Sequence, residues 1–342
     1  MTIDSTPISP GPPISSLGSD YQQWVTYALK DEPLPRADAI SILQDKTIDL
    51  LLLIHAAGRV RQHYFGRQVQ LHQINNIRSG LCPEDCGYCS QSSISNATIN
   101  KYKMKDADAI VQQAHEARAR GVYRYCMVAS GRGPSDQDTQ FLSHVIQRIR
   151  SEVGIRTCLS VGLVNQEQAD QFKAAGLDRL NHNLNTSNTH TTKIVKTHTY
   201  QDRVDTIKAA HHAGLGVCSG MITGMGETDE DIVDVAYELQ ALAAPSIPIN
   251  FLIPIEGNPV REFGQLTPQR CLRILSLFRF LNPRAEIRAA AGREGHLRGL
   301  QSLALYPANS LFVDGYLTTD GDKLQKVQTM IEDAGFEVVD HE

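Results

Sequence analysis

From about residue 69 the chain alternates short apolar runs with longer amphipathic ones, and this rhythm is its clearest structural signal. Eight runs predict strands: 69–77, 123–129, 156–161, 179–184, 216–222, 247–253, 286–291 and 310–313. Between them, apolar positions at helical spacing predict helices over 106–120, 139–153, 166–175, 201–213, 229–242 and 268–281. Four of these end on a glycine stop, at Gly121, Gly154, Gly176 and Gly214. Strand–helix alternation argues for parallel strands, and eight pairs in roughly 250 residues predict an α/β fold, a (β/α)8 TIM-type barrel. An open doubly wound sheet is the rival, since strand count alone does not exclude it. Three further helical patterns, at 19–30, 36–44 and 47–64, come before any strand and predict an N-terminal helical cap.

The expected division is therefore a disordered Pro/Ser tail at 1–18, the cap at 19–68, the barrel at 69–320, and a C-terminal helix and tail at 321–342. No internal repeat interrupts this plan.

Composition narrows the class. With 33 basic and 38 acidic residues the formal charge is −5, and no run of five like charges occurs. A nucleic-acid binder with a basic footprint is not expected. No window offers the ~20 apolar residues of a membrane span. The N-terminus lacks the basic, apolar, small-residue order of a signal peptide, so the expected location is cytoplasmic.

Seven cysteines change the picture further. In a reducing compartment they read as ligands, reactive thiols or core residues rather than a disulfide framework. Cys82, Cys86 and Cys89 stand in LCPEDCGYCSQ, a Cys-x3-Cys-x2-Cys arrangement just after the first strand. A turn of this length can point three sulfurs into one small volume, and thiolates suit soft metal centres. A closed zinc site normally has four protein ligands, and no fourth lies nearby in sequence. A cubane cluster on three cysteines keeps one iron free for a substrate. A distorted zinc turn is the bland alternative.

This trio resembles the cluster signature of the radical S-adenosylmethionine (radical SAM) enzymes. The resemblance implies a 4Fe–4S cluster whose free iron chelates SAM, with Tyr88 packing near the adenine. The stretch Gly220-Met-Ile-Thr-Gly224-Met-Gly226-Glu227 is similar to that family's adenine-contacting motif, which makes Gly224 a candidate cofactor contact.

Three more cysteines, Cys126, Cys158 and Cys218, fall in the second, third and fifth predicted strands, and Arg288 falls in the seventh. Alternate side chains of such strands face the barrel interior. Arg124 and Cys126 share a face, as do Asn181, Asn183 and Asn185. An ordinary barrel interior holds branched aliphatics. Any one of these cysteines is by itself most simply a small buried hydrophobe. Cys271, among apolar neighbours in a predicted helix, reads as core.

The motifs CPEDCGYCSQS, YCMVASGRGP, NHNLNTS, VCSGMITGMGE, PIN, RAAAGRE and YLTT resemble the sulfur-inserting branch of the same family, over about residues 69–319. That resemblance implies a second, 2Fe–2S cluster held by Cys126, Cys158, Cys218 and Arg288. It also implies sulfur insertion into dethiobiotin to close the ring of biotin, with flavodoxin or ferredoxin as electron donor and a homodimeric enzyme. No protein acid, base or nucleophile functionalises an unactivated C–H bond, so the cofactors carry the reactivity. Asn181, Asn183 and Asn250 are candidates for substrate hydrogen bonds, and Asn183 and Asn185 for nucleoside contacts. Asparagine at 185 is a departure, because some members carry aspartate there. Arg203 is a candidate for the methionine carboxylate or the ribose. Arg288 either ligates iron or only hydrogen-bonds a sulfide. Single-cluster relatives, a zinc-stabilised binding barrel and a cluster-donating scaffold are the competing readings.

Overall fold

The computed structural model describes residues 18–261 and 266–339. The expected Pro/Ser tail lies, but for Gly18, outside the described residues, as do the last three positions. Helices α1 (Ser19–Leu29), α2 (Arg36–Gln44) and α3 (Leu50–Phe65) come first, followed by β1 (Gln68–Arg78). Then run α4 (Ala107–Ala119), β2 (Arg124–Ala129), α5 (Asp136–Arg148), β3 (Arg156–Ser160), α6 (Gln166–Ala175) and β4 (Arg179–Asn181). The second half holds α7 (Asn188–Ile194), α8 (Tyr200–His212), β5 (Gly216–Cys218), β6 (Met221–Thr223), α9 (Asp229–Ala241) and β7 (Ser246–Phe251). Last come α10 (Pro268–Leu281), β8 (Glu286–Ala289), α11 (Arg293–Leu297), β9 (Ser310–Val313), α12 (Leu324–Asp333) and β10 (Glu337–Val338).

Every strand pairing is parallel, and the order β1-β2-β3-β4-β5-β7-β8-β9 closes where β9 pairs with β1. Closure removes the open-sheet alternative. β10 adds a short strand beside the start of β1, with Gln68 opposite Glu337. Helices α1, α2 and α3 bury Trp24, Ile42, Leu53 and Val60 against one another and against α9 and α10. Among the described residues no helix is long and apolar enough to cross a membrane.

Local sequence explains where the outer helices start. Ser135 with Asp138, Asn165 with Gln168, Thr199 with Asp202 and Thr228 with Asp231 form capping boxes for α5, α6, α8 and α9. Each satisfies two orphan amides at a helix N-terminus. Because of its box, α5 begins three residues before the apolar pattern suggests.

Two predicted strands differ from expectation, and both differences shape the site. The run at 216–222 is broken into β5 and β6, although both halves keep one register on β7: Cys218 faces Ser246, and Met221 faces Ile249. Pro248 stands opposite the break and has no amide to give to the ladder. Gly220 packs so tightly there that a Cβ would fall 1.8 Å from the Pro248 carbonyl oxygen. The run at 179–184 is strand only to Asn181, so Asn183 and Asn185 belong to the following loop. That loop is held by the backbone freed at the break. The Gly220 amide donates to Asn183 Oδ1 (3.1 Å), and the Asn185 amide donates to the Gly220 carbonyl (3.0 Å).

Candidate active site

The C-terminal rim and the interior of the barrel share one cavity of about 330 Å³. Cys89, Cys126, Cys158, Cys218 and Arg288 line it, together with Tyr88, Asn181, Asn183, Asn185 and Asn250. Ten sequence-predicted residues from separate parts of the chain thus converge on one chamber. Cys82, Cys86, Arg203 and Gly224 are not among its lining residues.

The outer cysteines lie on a loop clamped from two sides. Gly87 donates to the Ile194 carbonyl (2.9 Å), and its own carbonyl accepts from Val260 (3.0 Å). Asp85 accepts from the amides of Lys196 and Thr197 at 2.9 and 3.1 Å. Cys86, Cys89 and Tyr88 pack with Ile194, Val195, Met225, Leu252 and Val260. Burial pushes the Cys86 thiol up to about 12, and Cys89 is raised for the same reason. Cys82 and Cys89 each oppose ionisation of Cys86, as expected of three sulfurs aimed at one volume, while Arg203 favours it. Tyr88, pushed well up by burial and by Cys86, accepts a hydrogen bond from Asn185 Nδ2.

Glu84, in the same loop, accepts from Arg132 (3.0 Å), Thr197 Oγ1 (2.7 Å) and His198. His198 meets Arg203, whose other nitrogen donates to the Asn183 carbonyl at 2.8 Å. Arg203 therefore braces the asparagine loop from outside the chamber. Gly224, with φ of +96°, turns the chain after β6. Its amide and that of Met225 are taken by Glu227 at 2.6 and 2.7 Å.

The inner cysteines lie on β2, β3 and β5, the first two neighbours and the third separated from them by β4. Cys126 is the register partner of Cys158, and Asn181 that of Cys218. All three are buried and packed with Ala290 and Phe312. Hydrogen bonding from Cys158 draws Cys126 below the ordinary thiol value, helped by Arg288 against burial, and pushes Cys158 up. Cys218 is raised by its contact with Cys158 and by burial. Arg288 Nη1 lies 3.7 Å from Cys218 Sγ, and Ser246 Oγ lies 3.5 Å from the same sulfur.

Asn181 Nδ2 reaches the Cys218 carbonyl (3.1 Å) and Asn183 Oδ1 (3.2 Å). Asn250 bridges Met221 and Ala291, donating at 3.1 Å and accepting at 3.2 Å. Both therefore brace neighbouring backbone while bordering the cavity.

Sequence reasoning missed His72, Arg179, Ser246 and Glu286, which form a polar layer at the inner cysteines. Their signal was strand phase. Glu286 is two residues from Arg288 and His72 two from the cavity-lining Ile74, so each shares an inward face with a recognised position. Tyr316, Leu317, Thr318 and Thr319 also line the cavity, from the loop after β9. Cys271, as expected of a core residue, is buried in α10.

Both thiol sets are free cysteines, soft donors suited to iron–sulfur groups. Among the described residues no three His, Cys, Asp or Glu side chains close on a point that one metal ion would occupy.

Comparison with known proteins agrees with this layout. A family model described as the radical SAM superfamily matches residues 76–239, and the Biotin and Thiamin Synthesis associated domain matches 248–337. A methylornithine synthase structure superposes with a TM-score of 0.80 at 20% identity, covering 92% of this chain and 97% of its own. An FeFe-hydrogenase maturase from Carboxydothermus hydrogenoformans also gives 0.80, at 17% identity, over 94% of this chain and 80% of its own. Identities that low speak to fold alone. Among curated relatives, the biotin synthase of Acaryochloris marina is 65% identical over 91% of this chain and 90% of its own length. That of Bacillus subtilis is 46% identical over 92% and 95%. Similarity of that degree, running through both cysteine sets and over almost the whole chain, means that the chain belongs to the biotin synthase family within the radical SAM superfamily.

Proposed function

We propose that this protein inserts sulfur into dethiobiotin to form biotin, closing biotin synthesis, with SAM as the radical source. The observation that carries the reading is the single chamber bordered by Cys89 and Tyr88 on one side and by Cys126, Cys158, Cys218 and Arg288 on the other. Cys82, Cys86 and Cys89 would hold a 4Fe–4S cluster; Cys126, Cys158, Cys218 and Arg288 would hold a 2Fe–2S cluster. When bound, the first supplies the electron that releases a 5′-deoxyadenosyl radical from SAM, and the second supplies the sulfur.

The protein's part is placement and exclusion. Tyr88, tied to Asn185, sets one wall for the nucleoside, and Asn185 is positioned for the ribose. The turn at Gly224 backs the adenine side. Arg203 brings positive charge up behind Cys86, toward a carboxylate on SAM, while keeping Asn183 in place. Asn181, Asn183 and Asn250 present fixed amides to the ureido ring, which offers both donors and acceptors. Ile74, Leu252 and Phe312 keep water from the path between radical and substrate. No side chain in the chamber is needed as acid or base. Flavodoxin or ferredoxin as electron donor, a homodimer and a cytoplasmic location complete the proposal.

The test is anaerobic reconstitution with SAM, reductant and dethiobiotin. Wild type should carry about six irons per chain, whereas a single-cluster relative would carry about four. Cys82→Ala should form neither 5′-deoxyadenosine nor biotin. Cys158→Ala should still form 5′-deoxyadenosine and no biotin. Equal loss of both products in both variants would sink the division of labour.

A further inference from the structure

Where a barrel of this type ordinarily packs branched aliphatics, the inner layer here is charged. Arg124, Arg179 and Arg288 enter it from β2, β4 and β8; Glu286 pairs with Arg179 and Arg288, while Arg124 lies 3.9 Å from the half-exposed Asp178. Glu286 is 3% exposed, and its two oxygens serve different partners. Oε1 pairs with Arg288 Nη2 and lies 3.2 Å from His72 Nε2, while Oε2 pairs with Arg179 Nη1 across the barrel.

The same Nη2 of Arg288 lies 3.1 Å from Ser246 Oγ, and the guanidinium carbon sits 4.8 Å above the Phe312 ring. One edge and one face of the guanidinium are thereby committed, which leaves Nη1 facing Cys218. Arginine is a planar fork on a long flexible stem, so its aim depends on what grips it. Among the described residues Glu286 is the one carboxylate gripping Arg288. Removing it would leave the buried Arg288 guanidinium, and Arg179 beside it, without the carboxylate that pairs them.

We propose that Glu286 is the positioning residue for Arg288. Its carboxylate, held from behind by His72 and Arg179, fixes the guanidinium so that Nη1 is presented to the sulfur-donating centre on Cys126, Cys158 and Cys218. The inference rests on the two-cluster reading above.

The experiment compares Glu286→Gln with wild type after reconstitution, by Mössbauer and visible spectroscopy and by the rate of iron loss to a chelator. The glutamine keeps the shape but loses the charge. The outer centre should keep its spectrum, whereas the inner 2Fe–2S signature should change and its half-life shorten about tenfold, as suits loss of a charge-assisted contact. In an Arg288→Ala background the substitution should add nothing, because residues acting through one another are non-additive.

An unaltered inner signature in Glu286→Gln overturns the inference, and so does an effect of equal size without Arg288. If Glu286→Gln does not accumulate folded, His72→Asn decides. It should perturb the same signature only while Arg288 is present, and an unperturbed spectrum overturns the inference. A wild type holding only the outer centre overturns the two-cluster reading and this inference with it, which separates the two failures.

Discussion

Asn185 shows how much rests on single side chains here. It sits at φ of +67°, a left-handed conformation that asparagine and aspartate tolerate better than most residues. Its amide is spent on Tyr88, and its backbone pairs with both Gly220 and Ile222. Aspartate fits the same backbone and would accept from Tyr88 rather than donate to it. Asn185→Asp should therefore keep the fold and present an ionised acceptor to the ribose diol, tightening SAM about three- to tenfold by equilibrium binding. Unchanged or weaker binding would count against a ribose contact at this position. Cys82, Cys86 and Cys89 stood out because their spacing is chemically unusual, whereas Cys126, Cys158 and Cys218 were singled out only through the family resemblance. Glu286 and His72 were not, because one charged residue in an apolar strand reads as a surface position until the strand's inward phase is known.

Among the elements, helices were the most legible. Amphipathic spacing and capping residues are local signals, and α2 and α10 match the expected bounds at both ends. Strand ends were less so, since a strand stops where its neighbour stops pairing. The break between β5 and β6 lies opposite Pro248, some thirty residues away in sequence, and within 216–222 only Gly220 hints at it. Gly220→Ala tests this coupling. A methyl group 1.8 Å from the Pro248 oxygen must displace one of the two backbones. We expect a loss of about 2–4 kcal/mol in chemical denaturation. Biotin formation should fall further than stability alone accounts for, because Asn183 and Asn185 hang on the Gly220 peptide. Normal activity in a folded variant would show that the asparagine loop is held elsewhere.

At the scale of the whole molecule, eight strand–helix pairs predicted a barrel without excluding an open sheet, and what locks the closure could not be read at all. Arg279 of α10 is fully buried and donates to the carbonyls of Pro307, Pro283 and Ala285 and to Asn309 Oδ1, at 2.7–3.0 Å. Its guanidinium also lies 4.9 Å over the ring of Phe65. One side chain thus ties the first helices to the approaches of β8 and β9. In the sequence it looks like an ordinary helix arginine. Arg279→Met should cost about 3–5 kcal/mol by orphaning those acceptors. Thermal unfolding would measure this, and a change under about 1 kcal/mol would refute the locking role.

The charged layer around Glu286 also closes the chamber from below. His72, Arg124, Glu286 and Arg288 are all buried, and the inner cysteines line the same cavity as the asparagine loop and Tyr316 to Thr319. One vessel thus holds both the inner thiols and the asparagines. On the two-cluster proposal, iron or sulfide bound for the inner thiols would share that space with the organic guest. Recharging and residence would then compete for one volume, so that product would have to leave before the store is renewed.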